Sequence, residues 1–169
     1  RGALAMGGGI AASLLAARAG LAASPSQITM RGTKDGGRIW FDPVGLYIEP
    51  GQTLRFLNQD GGNTHTSTAY SPDIDGRPLR IPADAKGWDS DYLDPEQAFE
   101  ITLDAPGVYD FYCRPHEHAG MVGRIVVGRP EDHADWEQNA ETGDLPPEIL
   151  AAFPAVADIL SMGRVAAPG

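Results

Sequence analysis

The sequence predicts an all-β fold, an antiparallel sandwich or barrel, and three observations carry that prediction. Short apolar stretches with two-residue alternation follow one another from Gln27 to Val127. Turn formers close nearly every one of them, and the chain holds 21 Gly and 14 Pro in 169 residues, a supply suited to short strands rather than to a helical bundle. No helix-period segment interrupts the series. With 42% hydrophobic and 21% charged residues, the chain is ordinary enough in composition to bury a core, which excludes wholesale disorder.

The elements follow in order. Ile39-Trp40-Phe41 stops at Asp42-Pro43, and Leu46-Tyr47-Ile48 stops at Glu49-Pro50-Gly51. Within Thr53-Leu54-Arg55-Phe56-Leu57, Leu54 and Phe56 share one face and Arg55 takes the other. Asp60-Gly61-Gly62-Asn63 turns the chain into a strand-like piece over residues 64–70, and residues 71–96 form a long, turn-rich excursion. Alternation returns in Phe99-Glu100-Ile101-Thr102-Leu103. Ala105-Pro106-Gly107 then turns into residues 108–113, where Tyr109, Phe111 and Cys113 share a face. The last strand is residues 122–127. Trp40, Trp88 and Trp136 read as packing residues.

Composition changes at both ends. Residues 2–17 are uncharged, small and apolar, preceded by Arg1 and followed by Arg18 and Ala19-Gly20-Leu21-Ala22-Ala23. That is the anatomy of an export signal, and its weak hydrophobicity resembles a twin-arginine signal; the other reading is an uncleaved anchor. Past Gly128-Arg129-Pro130, residues 131–143 are polar and acidic. Pro146-Pro147 opens a helical pattern over residues 148–162, ended by Gly163, which Pro154 kinks or splits. Its Ile149, Phe153 and Leu160 face is expected to pack on the sandwich. The organisation expected is therefore an export signal or anchor over 1–23, a β domain over 24–129, and an acidic linker with a helical extension over 130–169. An exported chain of this kind belongs in the bacterial periplasm or at the outer face of the cytoplasmic membrane.

Charge narrows the partners. Thirteen basic against 23 acidic residues give a formal net charge of -10. Nucleic acid and anionic lipid are poor partners for such a surface, and a basic protein is a better one. Asp84, Asp89, Asp91, Asp94 and Glu96 form an acidic cluster that reads either as a solvated loop or as a docking patch for a basic partner.

The chemistry lies in one stretch. The single cysteine rules out an internal disulfide, and Cys113, His116 and Met121 stand at Cys-x2-His-x4-Met spacing between two predicted strands. Thiolate, imidazole and thioether suit copper and suit magnesium or calcium badly. A copper ion that alternates between Cu(I) and Cu(II) wants two imidazoles and a thiolate in a plane with a weak axial thioether. His65, after the 60–63 turn, is the natural second imidazole. His118 competes with His116 and loses on spacing, leaving it as an exposed rim residue; His133 reads as a solvated linker residue. The plain alternatives are a buried structural thiol at Cys113, a surface turn histidine at His65 and a core methionine at Met121.

Here the chain resembles the cupredoxins, and among them the plastocyanin and pseudoazurin group. The resemblance covers residues 38–128. It rests on Glu49-Pro50-Gly51-Gln52-Thr53, on His65, on Trp88-Asp89-Ser90-Asp91-Tyr92-Leu93-Asp94-Pro95, and on Pro106-Gly107 through Cys113-Arg114-Pro115-His116 to Gly120-Met121-Val122-Gly123. It implies a Greek-key β-sandwich holding one type 1 copper, with His65, Cys113 and His116 as equatorial ligands and Met121 as the axial one. Two departures stand out. Thr66 occupies the place where many relatives carry Asn, and the insertion after His65 is longer than in a minimal plastocyanin, as in some copper-inducible periplasmic relatives.

The function expected is a one-electron carrier working with a cytochrome, a reductase or a membrane electron-transfer complex. A copper-tolerance or copper-buffering protein of the same fold is the alternative, weakened because Met30 is the sole Met or His between Ala23 and His65. An enzyme is rejected: a Cys-His hydrolase leaves Met121 unexplained, and four histidines cannot furnish the further sites of a copper oxidoreductase.

Overall fold

The structure, a computed structural model, describes residues 26–134 and 145–168. The export segment expected over 1–23 and Trp136 lie outside the described residues. Among the described residues, nine strands and two short helices run in the order β1 (Ser26–Gly32), β2 (Ile39–Asp42), β3 (Gly45–Ile48), β4 (Gln52–Asn58), β5 (Thr68–Ala69), β6 (Ala98–Leu103), β7 (Gly107–Tyr112), β8 (Val122–Val127), α1 (Pro147–Leu150), α2 (Val156–Met162) and β9 (Arg164–Val165). A 3-10 helix, Arg114–Ala119, joins β7 to β8.

The strands form two sheets, one ordered β2-β1-β4-β6 and the other β5-β7-β8-β3-β9. Both sheets are mixed. β1 runs parallel to β4, with Ile28 opposite Phe56, and β3 runs parallel to β8, with Leu46 opposite Ile125; the remaining pairs are antiparallel. A purely antiparallel arrangement is thereby corrected. Alternation reveals which side of a strand meets the core but not the direction of its neighbour, and this chain crosses repeatedly between sheets. The strand expected over 64–70 is also shorter: only Thr68–Ala69 pairs regularly, with His65 making an isolated bridge to Leu93.

The core lies between the sheets. Ile28, Phe41, Leu54, Phe56, Phe111 and Ile125 are fully buried there, and the same cluster extends to Cys113 and Met121 at one end. Phe111 is its hub, 4.7 Å from Phe41 and 5.3 Å from Phe56 in edge-on packing. Gly123, opposite Phe111 on β8, leaves room for that ring, which a Cβ there would meet.

β7 and β8 are buried along their whole length because the C-terminal extension covers their outer face. Pro154 does split the helical pattern. Leu145, Ile149 and Phe153 pack on Tyr70, Tyr112 and Val122, while Val156 and Ile159 pack on Val108 and Val126. Leu160, half-buried, packs against this second cluster as expected, and Ile159 beside it is fully buried. Trp88 packs in the core as expected.

Candidate metal centre

His65 is set by the turn before it. Asn58, the last residue of β4, accepts from the Asp60 N–H and donates its amide to the carbonyls of Asn63 and Leu93. The Asp60 carboxylate accepts from Gly62 N–H and from the Asn63 amide, both at 2.9 Å. His65 then bridges Leu93 through two backbone bonds, and its ring is fully buried.

The other predicted residues come from one closed loop. Cys113 follows β7 and caps the start of the 3-10 helix; His116 lies within that helix; Gly120, at a φ of 79°, ends it; Met121 leads into β8. Backbone bonds seal the loop, from Cys113 N–H to the Met121 carbonyl, from His116 N–H to the Cys113 carbonyl, and from Met121 N–H to the His116 carbonyl. Met121 is fully buried.

His65 Nδ1 and His116 Nδ1 are 3.1 Å apart, and the Cys113 Sγ lies 3.6 Å from the first and 3.4 Å from the second. The centre of that triangle is about 2 Å from each corner, in the range of bonds from nitrogen and sulfur to a first-row metal ion. Copper fits this donor set. The far nitrogen of His65, Nε2, is 3.0 Å from the Asp60 carboxylate.

Electrostatics keep the donors neutral until a cation arrives. Burial pushes the Cys113 thiol up to about 11, against the pull of hydrogen bonds from Thr66 and His116. Burial lowers His65 despite the opposing effect of Asp60, and burial together with the neighbouring His65 lowers His116. Both rings are thus neutral at pH 7, with lone pairs to give. Burial works against the Asp60 charge, but hydrogen bonds from Asn63, Gly62 and His65 outweigh it and hold the carboxyl below its usual range.

Around the donors the loop is braced. Thr66 N–H points at the Cys113 sulfur at 3.3 Å, and the Thr66 hydroxyl accepts from Arg114 N–H at 2.9 Å. The departure at Thr66 therefore still ties the histidine segment to the cysteine loop. The Arg114 guanidinium reaches Asp75 and Asp89, and buried Glu117 accepts from the Tyr70 hydroxyl at 2.6 Å and from Arg77. His116 is half-buried and His118 exposed, while His133 is partly buried against Gly128. Sequence reasoning missed Asp60 and Glu117. A carboxylate beside two glycines reads as an ordinary turn, and nothing local marks it as facing His65.

A two-sheet sandwich whose core ends in two imidazoles, a thiol and a buried methionine defines a class, the cupredoxins, and His65, Cys113, His116 and Met121 form a type 1 copper-like site. The model for copper binding proteins of the plastocyanin/azurin family matches residues 28–128, and the chain belongs to that family. With it goes the Greek-key sandwich that the motifs implied. It is 38% identical over 106 residues to the chloroplastic plastocyanin of Chlamydomonas reinhardtii, covering 62% of this chain and 70% of that one. It is 29% identical over 127 residues to the pseudoazurin of Methylorubrum extorquens, covering 73% and 76%. Among solved structures, a pseudoazurin from Sinorhizobium meliloti shares the fold with a TM-score of 0.54 at 23% identity, covering 82% of this chain and 98% of that one.

Proposed function

We propose that His65, Cys113, His116 and Met121 hold a single copper ion and that the chain carries single electrons between redox proteins. The observation that carries this reading is the donor triangle, with edges of 3.1 to 3.6 Å between neutral side chains, His65 and Cys113 fully buried and His116 half-buried. Copper bound there supplies a one-electron Cu(I)/Cu(II) couple. The protein's own contribution is rigidity: a loop closed by backbone bonds and braced by Thr66 and Arg114 holds the donors alike in both oxidation states. The half-buried His116 and exposed His118 put the centre near the surface, where an electron can leave without a substrate pocket. That supports a carrier over an enzyme.

The partner belonging to this reading is a cytochrome, a reductase or a membrane electron-transfer complex with a basic face. Asp84, Asp91, Asp94 and Glu96 are exposed, and Tyr92, 54% exposed, stands among them. Asp89 is engaged with Arg114 and Thr68 and belongs to the brace rather than the docking face. We place the mature chain in the bacterial periplasm or at the outer face of the cytoplasmic membrane, with 1–23 as the export segment, 24–129 as the copper domain and 130–169 as an extension.

The test is a visible titration with Cu(II) followed by a reductant. An intense thiolate band saturating at one equivalent and bleaching reversibly is the expected result. Silence in the visible range would overturn it, and loading well beyond one equivalent would favour a copper-buffering role.

A further inference from the structure

We propose that Asp60, seated against Gly32, is a positioning residue for the copper centre: its buried carboxylate fixes His65 with Nδ1 bare towards the metal, and its charge favours Cu(II) over Cu(I). The inference rests on the copper reading above and concerns how the site is tuned. Asp60 is 4% exposed and stands 3.0 Å from His65 Nε2. An ionised carboxylate can only accept, so Nε2 carries the ring proton and Nδ1 presents its lone pair, 3.6 Å from the Cys113 sulfur. The other donors to this carboxylate are Gly62 N–H and the Asn63 amide. All three are neutral, so they orient the charge without cancelling it.

The place for this carboxylate is built into a distant strand. Gly32 ends β1, 28 positions upstream, and a Cβ added there would run into the Asp60 carboxyl group. The absence of a side chain at 32 and the carboxylate at 60 are two halves of one fit. A negative charge held in a buried setting, one imidazole away from the metal position, is weakly screened and stabilises the more positive oxidation state. A carboxylate that merely shaped the 60–63 turn would leave the potential where it was.

The experiment uses the full chain, loaded with Cu(II), as wild type, Asp60→Asn and Gly32→Ala. Visible spectra establish the thiolate band, and spectroelectrochemistry at fixed pH gives the midpoint potential. Asn keeps the size and loses the charge. The band is expected to persist while the Cu(II):Cu(I) affinity ratio falls about tenfold or more, equivalent to a rise of about 59 mV per tenfold for one electron. Gly32→Ala, which pushes the carboxylate aside, is expected to raise the potential in the same direction. A third readout needs no variant: long-range proton–nitrogen NMR of the metal-free wild type is expected to show His65 protonated at Nε2. A retained band with an unchanged potential in Asp60→Asn overturns the proposal, as does a proton on Nδ1. If Asp60→Asn does not fold, Gly32→Ala and the NMR spectrum decide in the same way. Silence in the wild-type visible spectrum would instead remove the copper reading and this inference with it.

Discussion

A thiol must lose its proton before it can bind a metal ion, and burial keeps the Cys113 proton in place up to about 11. The two imidazoles behave in the opposite sense, since burial lowers both and leaves them neutral at pH 7. Copper binding around pH 7 to 9 is therefore expected to release one proton per ion, all of it from Cys113. Calorimetry in two buffers of different ionisation enthalpy reads that number directly. The apparent affinity should rise about tenfold per pH unit over this window, because each unit removes one competing proton tenfold. Without metal the sign reverses for stability: a thiol raised above its unfolded value of 9.0 stabilises the fold below that pH and loses the contribution as pH climbs through about 11. Cys113→Ser is expected to abolish the visible band while leaving the fold, checked by circular dichroism. Thr66→Val strips the acceptor from the partly buried Arg114 N–H and is expected to cost about 1 kcal/mol in a urea melt.

Strands β7 and β8 show what an apolar pattern hides. Both are buried on both faces, yet Asp110 and Arg124 stand opposite each other in their middles. Arg124 reaches both carboxylate oxygens at 2.7 and 3.0 Å, and Arg80 from the long 71–96 loop binds the same group at 2.7 Å. Asp110→Ala would leave two buried guanidinium groups facing each other without their shared anion, and is expected to destabilise the fold by about 3 to 5 kcal/mol in chemical denaturation. Alternation in residues 53–57 and 99–103 was enough to place β4 and β6, and Cys-x2-His-x4-Met was enough to place the ligand loop, because those signals are local. Parallel pairing, the bridge from His65 to Leu93 and the contact of Asp60 with His65 are set by the chain folding back over tens of residues. So is β9, two residues long, which exists only because β3 offers it an edge.

The C-terminal extension is part of the whole rather than an appendage. Ile149, Phe153, Val156 and Ile159 are each buried on β7 and β8, and Gly45 on β3 is shaped to it, since a Cβ there would come within 2.8 Å of Ile159. Truncation after Ala134 removes apolar anchors each contributing about 1.5 to 3 kcal/mol, and is expected to lower the urea midpoint clearly and to expose dye-binding surface. A stable truncated chain would mark the extension as a partner-binding segment. At the same scale, electron transfer to a basic cytochrome is expected to slow with rising ionic strength, and neutralising Asp91 and Asp94 should flatten that dependence in stopped-flow traces. The position of β3 between β8 and β9 has a consequence for the order of synthesis. A ribosome emits β3 about 75 residues before β8 and nearly 120 before β9, so the nascent chain carries an open edge on β3 until first β8 and then β9 has emerged. The Cys113–Met121 loop can close as soon as β7 and β8 pair, whereas the far edge of β3 stays open until β9 follows.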